Sequence, residues 1–242
     1  MTLADLTQLE LLVGSLALIW VIIAIIIGLR IIWKAISLKR NELISVGLSW
    51  VLLASAWWGV ALQFITYGFF NYKLTAFQYL LVANIFIPIA ITCWIYAFCQ
   101  ILNPDLKKSL LVVYIIVCTI WEIYLFVGLS INTEIVATIE GTFDSKHSTV
   151  SLIFVFFAIL SFLITGIIFS VKSMKVDDPE IKWKGRFLLL AWILFTVGAL
   201  LDAALSPAPL TLIIVRLILI TSSIFFYLGF FLPEFIKKSL IK

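Results

Sequence analysis

Seven apolar stretches, separated by short polar links, decide what this chain can fold into. They run over about 9–33, 43–69, 75–102, 109–131, 150–171, 187–205 and 210–232. A helix needs ~20 apolar residues to cross ~30 Å of hydrocarbon, and the stretches match that length. Inside lipid every backbone N–H and C=O must be satisfied, which leaves helices or closed barrels. Long apolar runs without period-two alternation select helices. The expected fold is all-α: a polytopic membrane protein, a seven-transmembrane helix bundle forming one domain over 1–242. Composition agrees, with 64% hydrophobic and 12% charged residues and a mean hydropathy of +1.20. A soluble domain carries roughly twice that share of charge.

The links test the number of spans. With the N-terminus outside and the C-terminus inside, Lys73 and Lys146 fall on outer segments and Arg216 falls within the membrane. The other fourteen of the 17 basic residues fall on inner segments, as the positive-inside rule requires. Six or eight spans would spoil that imbalance. The first residues carry Asp5 and Glu10 and no basic residue, unlike a signal peptide, so the first run is expected to be a retained span. Its isoleucine-rich look suggests a lipid-facing helix. Asp178-Pro179-Glu180 is a helix start, with an acid at the N-cap and proline at the first helical position. The sixth helix is therefore expected to begin in water near Pro179 and enter the membrane near Phe187, and a Ser206–Pro209 turn to precede span seven.

Polar residues inside the spans are the candidates for function, because ionisable groups facing lipid are costly and turn into the bundle. Counted inward from the outer boundaries at ~1.5 Å per residue, Asp202 lies roughly 5 Å deep, Gln63 and Arg216 roughly 10 Å, Asn84 roughly 13 Å and Glu122 roughly 15 Å. All five fall in the outer half, and the simplest joint reading is a polar ligand or ion cavity opening outward. Asp202 and Arg216 flank a tight turn, so their helices are antiparallel neighbours and a carboxylate–guanidinium pair is expected. That pair serves either as a structural clamp or as a mount that holds Arg216 against an anionic ligand. Gly198 and Ala199 lie on the Asp202 face and permit close helix packing.

Glu122 has no basic partner in its own span; it is a neutral hydrogen-bonded carboxyl, a proton site or a cation ligand. Pro88 is expected to kink span three and free a carbonyl near Asn84. Trp33, Trp50 and Trp183 fit an inner interfacial belt, and the Asn132–Thr149 segment reads as the longest outer loop.

Several chemistries are excluded by what the spans lack. No lysine lies in any span, so no retinal Schiff base is expected, and no cofactor is implied. The single histidine, His147, and the cysteines Cys93, Cys99 and Cys118 show no metal-ligand spacing. No glycine-rich nucleotide loop is present, and no nucleic-acid partner is expected. No intramembrane nucleophile–base pattern is visible, so an enzyme is the least supported class.

The C-terminal third resembles uncharacterised seven-helix membrane proteins of archaea. The likeness rests on Trp183-Lys184-Gly185-Arg186-Phe187, Gly198 through Asp202-Ala203, Arg216, and Phe226-Tyr227-Leu228-Gly229-Phe230 with Leu232-Pro233. The layout is also similar to the seven-helix sensor regions of some histidine kinases, although here only about ten residues follow span seven. The expected function is that of a cell-membrane sensor or receptor-like protein. A small ligand or ion would enter the outer cavity, and a separate cytoplasmic partner would meet the basic face of Lys172, Lys175, Lys182, Lys184 and Arg186. The alternatives are a small proton- or cation-coupled transporter using Glu122, and a structural protein with no ligand.

Overall fold

A computed structural model describes residues 5–204 and 208–241. The expected turn at 206–209 falls partly on residues outside that range. The elements in chain order are α1 (Gln8–Ser37), α2 (Asn41–Leu53), α3 (Trp58–Phe70), α4 (Ala76–Asn84), α5 (Ile87–Leu102) and α6 (Lys107–Ile131). Then come strands β1 (Ala137–Glu140) and β2 (Asp144–His147), α7 (Thr149–Met174), α8 (Pro179–Ala204), α9 (Pro209–Phe230) and α10 (Glu234–Leu240). Among the described residues, seven helical segments are long and apolar enough to cross a membrane: Gln8–Ser37, Asn41–Phe70, Ala76–Leu102, Pro104–Ile131, Thr149–Met174, Pro179–Ala203 and Pro209–Phe230. This is the helical architecture of a multi-pass membrane protein.

Local chemistry sets the boundaries. Thr7 and Thr75 each form a reciprocal capping box, with Glu10 and Gln78 respectively, and so start α1 and α4. Asp178 Oδ1 accepts from the Glu180 and Ile181 amides and starts α8 where expected. Asn71, at a left-handed φ of 52°, stops α3. Two spans are jointed. A 3₁₀ turn at Ala54–Trp57 separates α2 from α3, and Pro88 in the first turn of α5 follows a break at Ile85–Phe86. The second joint is the expected proline effect; the first has no proline to announce it.

In lipid, helices associate through close packing rather than through loss of water, so small residues govern where they meet. α1 and α2 cross backbone to backbone. A Cβ on Gly28 would sit 2.9 Å from the Gly47 carbonyl oxygen, and one on Gly47 2.8 Å from that of Gly28. The most extensive helix pairing is α8 with α9, and a Cβ on Gly198 would meet Leu219 at 2.7 Å. The core between the helices is aromatic: Trp20, Trp50, Trp94 and Trp192 are fully buried, and Trp50 stacks on Phe226 at 3.9 Å.

One expectation is corrected here. Trp50 is a core residue and not part of an interfacial belt, because it stacks on Phe226 and packs against Trp192 and Phe195 of α8 and α9, whereas Trp33 is 76% exposed. α1 has two faces, and exposes Ile19, Ile22, Ile26 and Leu29 as a lipid-facing helix would. It buries a stripe of Gly14, Ala17, Trp20, Val21, Ala24, Gly28, Ile31 and Ala35 against its neighbours. The helix at the edge is α6, with 17% of its span buried against 33% for α1.

The start of α1, the 71–75 link, the β-hairpin and the end of α8 gather at one end of the bundle, held by contacts described below. The 38–40, 103–106 and 175–178 links and α10 lie at the other, where the basic residues concentrate. These are called the hairpin end and the basic end.

Candidate functional site

The segment expected to be an open loop is a hairpin. Ala137 pairs with His147, and Glu140 with Asp144, around a turn in which Gly141 takes a φ of +70° that other residues rarely adopt. The turn points back into the bundle. Phe143 is buried with Leu6 and Tyr67, and its carbonyl accepts from the Tyr79 hydroxyl at 3.0 Å. Thr142 donates to Glu10 Oε1 at 2.5 Å and, through its carbonyl, accepts from Gln63 Nε2 at 3.3 Å. At the other end of the hairpin, Val136 O accepts from Ser151 Oγ at 2.7 Å and from the Ser148 amide at 3.0 Å. The hairpin is thus tied to α1, α3, α4 and α7 and caps that end.

Gln63 is the hub of this cap. It is 2% exposed, and its amide is used twice: Nε2 holds the hairpin while Oε1 accepts from the Leu74 amide at 2.8 Å in the 71–75 link. Beside it lies a pocket of about 200 Å³ lined by Gln63, Lys73, Leu74, Ala76, Tyr79, Ile139 and Thr142. Two walls come from the hairpin itself. Lys73 brings the positive charge and lies near Glu10.

Asp202 and Arg216 form the expected pair, with Nη1 3.0 Å from Oδ2. Arg216 is only 4% exposed and Asp202 20%, so the pair sits where the bundle core meets the hairpin end. A third member was not foreseen. Trp57 Nε1 donates to the same Asp202 oxygen at 2.6 Å, and its ring lies 5.9 Å from the guanidinium carbon. The 3₁₀ turn at Ala54–Trp57 is what aims Trp57 there; the sequence signal was a tryptophan in the span that also carries Gln63. Asp202 also reaches the hairpin electrostatically. Burial raises the Asp144 carboxyl above its ordinary value, the Ser145 amide lowers it, and Glu140 and Asp202 raise it further. Burial lowers the His147 imidazole, against the opposing pull of Asp144.

Of the five polar residues, only Gln63 is in the lining of this pocket. Gln63 lines the pocket, whereas Asn84 turns back to donate to Leu80 O in its own helix at 2.8 Å. Glu122 is half-buried on α6, which packs against α4 and α5, and its Oε2 has no hydrogen-bond partner among the described residues. Asp202 and Arg216 belong to the α8–α9 pair. Position around the bundle follows from helix order, which counting along each span does not reveal.

The basic face is partly engaged within the protein. Glu180 holds Lys184 at 2.6 Å and Lys237 of α10 at 2.5 Å, which fastens α10 to the start of α8 and raises the Lys237 ammonium above its ordinary value. Lys182 lies 3.5 Å from Asp177, and Arg186 sits over the Trp183 ring. Lys172 and Lys175 remain exposed. No family model, curated protein or solved structure matches this chain.

Proposed function

We propose that the chain is a sensor or receptor-like protein of the cell membrane, with the hairpin end outside and the basic end in the cytoplasm. The fourteen-to-two distribution of basic residues supports that orientation. The input site is the pocket of about 200 Å³ beside the hairpin. Its size suits a ligand of few heavy atoms. Lys73 suits an anionic group, and Leu74, Ala76 and Ile139 suit a short apolar body. The observation that carries the reading is the double use of Gln63, which lines the pocket and also holds the hairpin. A molecule in the pocket presses on Ile139 and Thr142, and Thr142 joins the hairpin to α1 through Glu10. The exposed Lys172 and Lys175 then face a separate signalling partner. The packed aromatic core between the two ends, where Trp50 stacks on Phe226 and Trp94 lies 4.6 Å from Trp192, favours a sensor over a transporter, which needs a path through that core.

The test is binding of butyrate, a short-chain carboxylate, followed by calorimetry and tryptophan emission. Binding is expected in the wild type, with butyramide and butylamine inactive, and Lys73→Gln is expected to abolish it. Equal binding of butyrate by Lys73→Gln, or no carboxylate binding at all, contradicts the assignment.

A further inference from the structure

A second groove lies near the basic end, between α1 and α9. It measures about 180 Å³ and is lined by Ile26, Ile27, Arg30, Ile224 and Tyr227. Its rim faces away from the bundle, with Ile26 51% and Ile224 49% exposed, so in a bilayer it opens to lipid. Arg30 is exposed and makes no hydrogen bond or ion pair to the described residues. One helical turn on, Lys34 lies over the Phe231 ring at 4.6 Å, and Tyr227 packs on the same Phe231. Two cations and a phenol therefore stand at the head of an apolar slot. Arg30 is seven residues short of the end of α1 at Ser37, ~10 Å along the axis, a depth from which an arginine reaches the interface.

We propose that this groove seats one anionic phospholipid. Its phosphate accepts from Arg30 and from the Tyr227 hydroxyl, and the upper methylenes of one chain lie along Ile26 and Ile224. Three considerations select this occupant. The slot is too small for a helix, which is ~10 Å across. The unpaired cation at its head calls for an anion and not for a neutral apolar surface. Basic clefts between transmembrane helices on the positive side of a membrane fit acidic headgroups. The site lies at the opposite end from the proposed input pocket and does not depend on it.

The experiment adds phosphatidylglycerol or phosphatidylcholine to the delipidated, detergent-solubilised full chain and reads thermal midpoint and retained lipid by native mass spectrometry. Phosphatidylglycerol is expected to raise the midpoint and remain bound, whereas phosphatidylcholine and inorganic phosphate do neither. Arg30→Gln should weaken phosphatidylglycerol binding about fivefold, the weight of one basic residue at an anionic surface. Lys108→Gln, an exposed change on α6 at the same end, should leave binding unchanged. Ile224→Trp, which fills the slot, provides a second test if Arg30→Gln does not fold. Equal effects of the two lipids, equal stabilisation by phosphate, or wild-type phosphatidylglycerol binding in Arg30→Gln or Ile224→Trp would overturn the assignment.

Discussion

Replacing Asp202 by Asn isolates the charge contact at the hairpin end. Asn keeps an oxygen for the Trp57 Nε1–H, which stands 2.6 Å from the Asp202 carboxylate, but removes the negative charge facing Arg216. Stripping the partner from a buried charge costs about 3–5 kcal/mol. Because the Asp202 side chain is 20% exposed, water can approach Arg216 from that side, and the loss should fall near the low end, about 3 kcal/mol. For a chain of this size that is about 6–12 °C in thermal midpoint. Asp202→Ala also removes the acceptor for Trp57 and should cost about 1 kcal/mol more. Adding Arg216→Gln to Asp202→Asn removes the uncompensated cation, so the double variant should be more stable than the sum of the single losses predicts, by about 1–3 kcal/mol. Trp57 also bears on the charge exchange Asp202→Arg with Arg216→Asp. The exchanged pair sets a guanidinium against the indole donor, so full rescue should also require Trp57→Phe. The assay is reversible unfolding in mixed micelles followed by tryptophan emission. Additive losses, with the double variant equal to the sum of the singles, would refute the coupling.

Other perturbations reach the remaining parts. Gln63→Leu removes both amide bonds and should cost about 2–3 kcal/mol, with faster proteolysis within 137–147 as the direct readout. Gly166→Ala places a methyl 2.5 Å from the Trp192 ring and should cost about 1–3 kcal/mol through overpacking, measurable in the same unfolding assay. His147 is held below its ordinary 6.5, so the unfolded chain takes up its proton first. That part of the stability is complete above about 6.5 and is lost as pH falls through the folded value. Asp144, held above 3.8, has the opposite sign; its contribution is complete at low pH and fades as pH rises through the folded value. The protection of the hairpin amides, corrected for the intrinsic pH dependence of exchange, should therefore fall as the pH drops below about 6.5, and His147→Asn should remove that slope.

The spans were legible because lipid leaves the backbone few choices, and run length then counts the helices. The Asp202–Arg216 pair was legible for a related reason: a short turn forces two helices together, and the charges lie at similar depths. The hairpin was missed although Ala137–Glu140 and Asp144–His147 flank a glycine-containing turn, because its charges mark it equally well as a solvated loop. Trp57 was missed because its orientation depends on a 3₁₀ turn that no proline or glycine marks. Glu122 was grouped with the others by depth alone, and the place of its helix at the edge of the bundle could emerge only from the order of helices. Gln63 was placed correctly as a buried polar residue, but its task of holding two loop backbones requires knowing where those loops return.

The proposal stands or falls on whether occupancy of the pocket is felt by the hairpin. Hydrogen exchange of the 137–147 amides should be followed with and without saturating butyrate, in the wild type and in Lys73→Gln. Slowed exchange across the hairpin is expected in the wild type, and no change in Lys73→Gln. Unchanged hairpin exchange in the wild type, or the same slowing in both proteins, would contradict it.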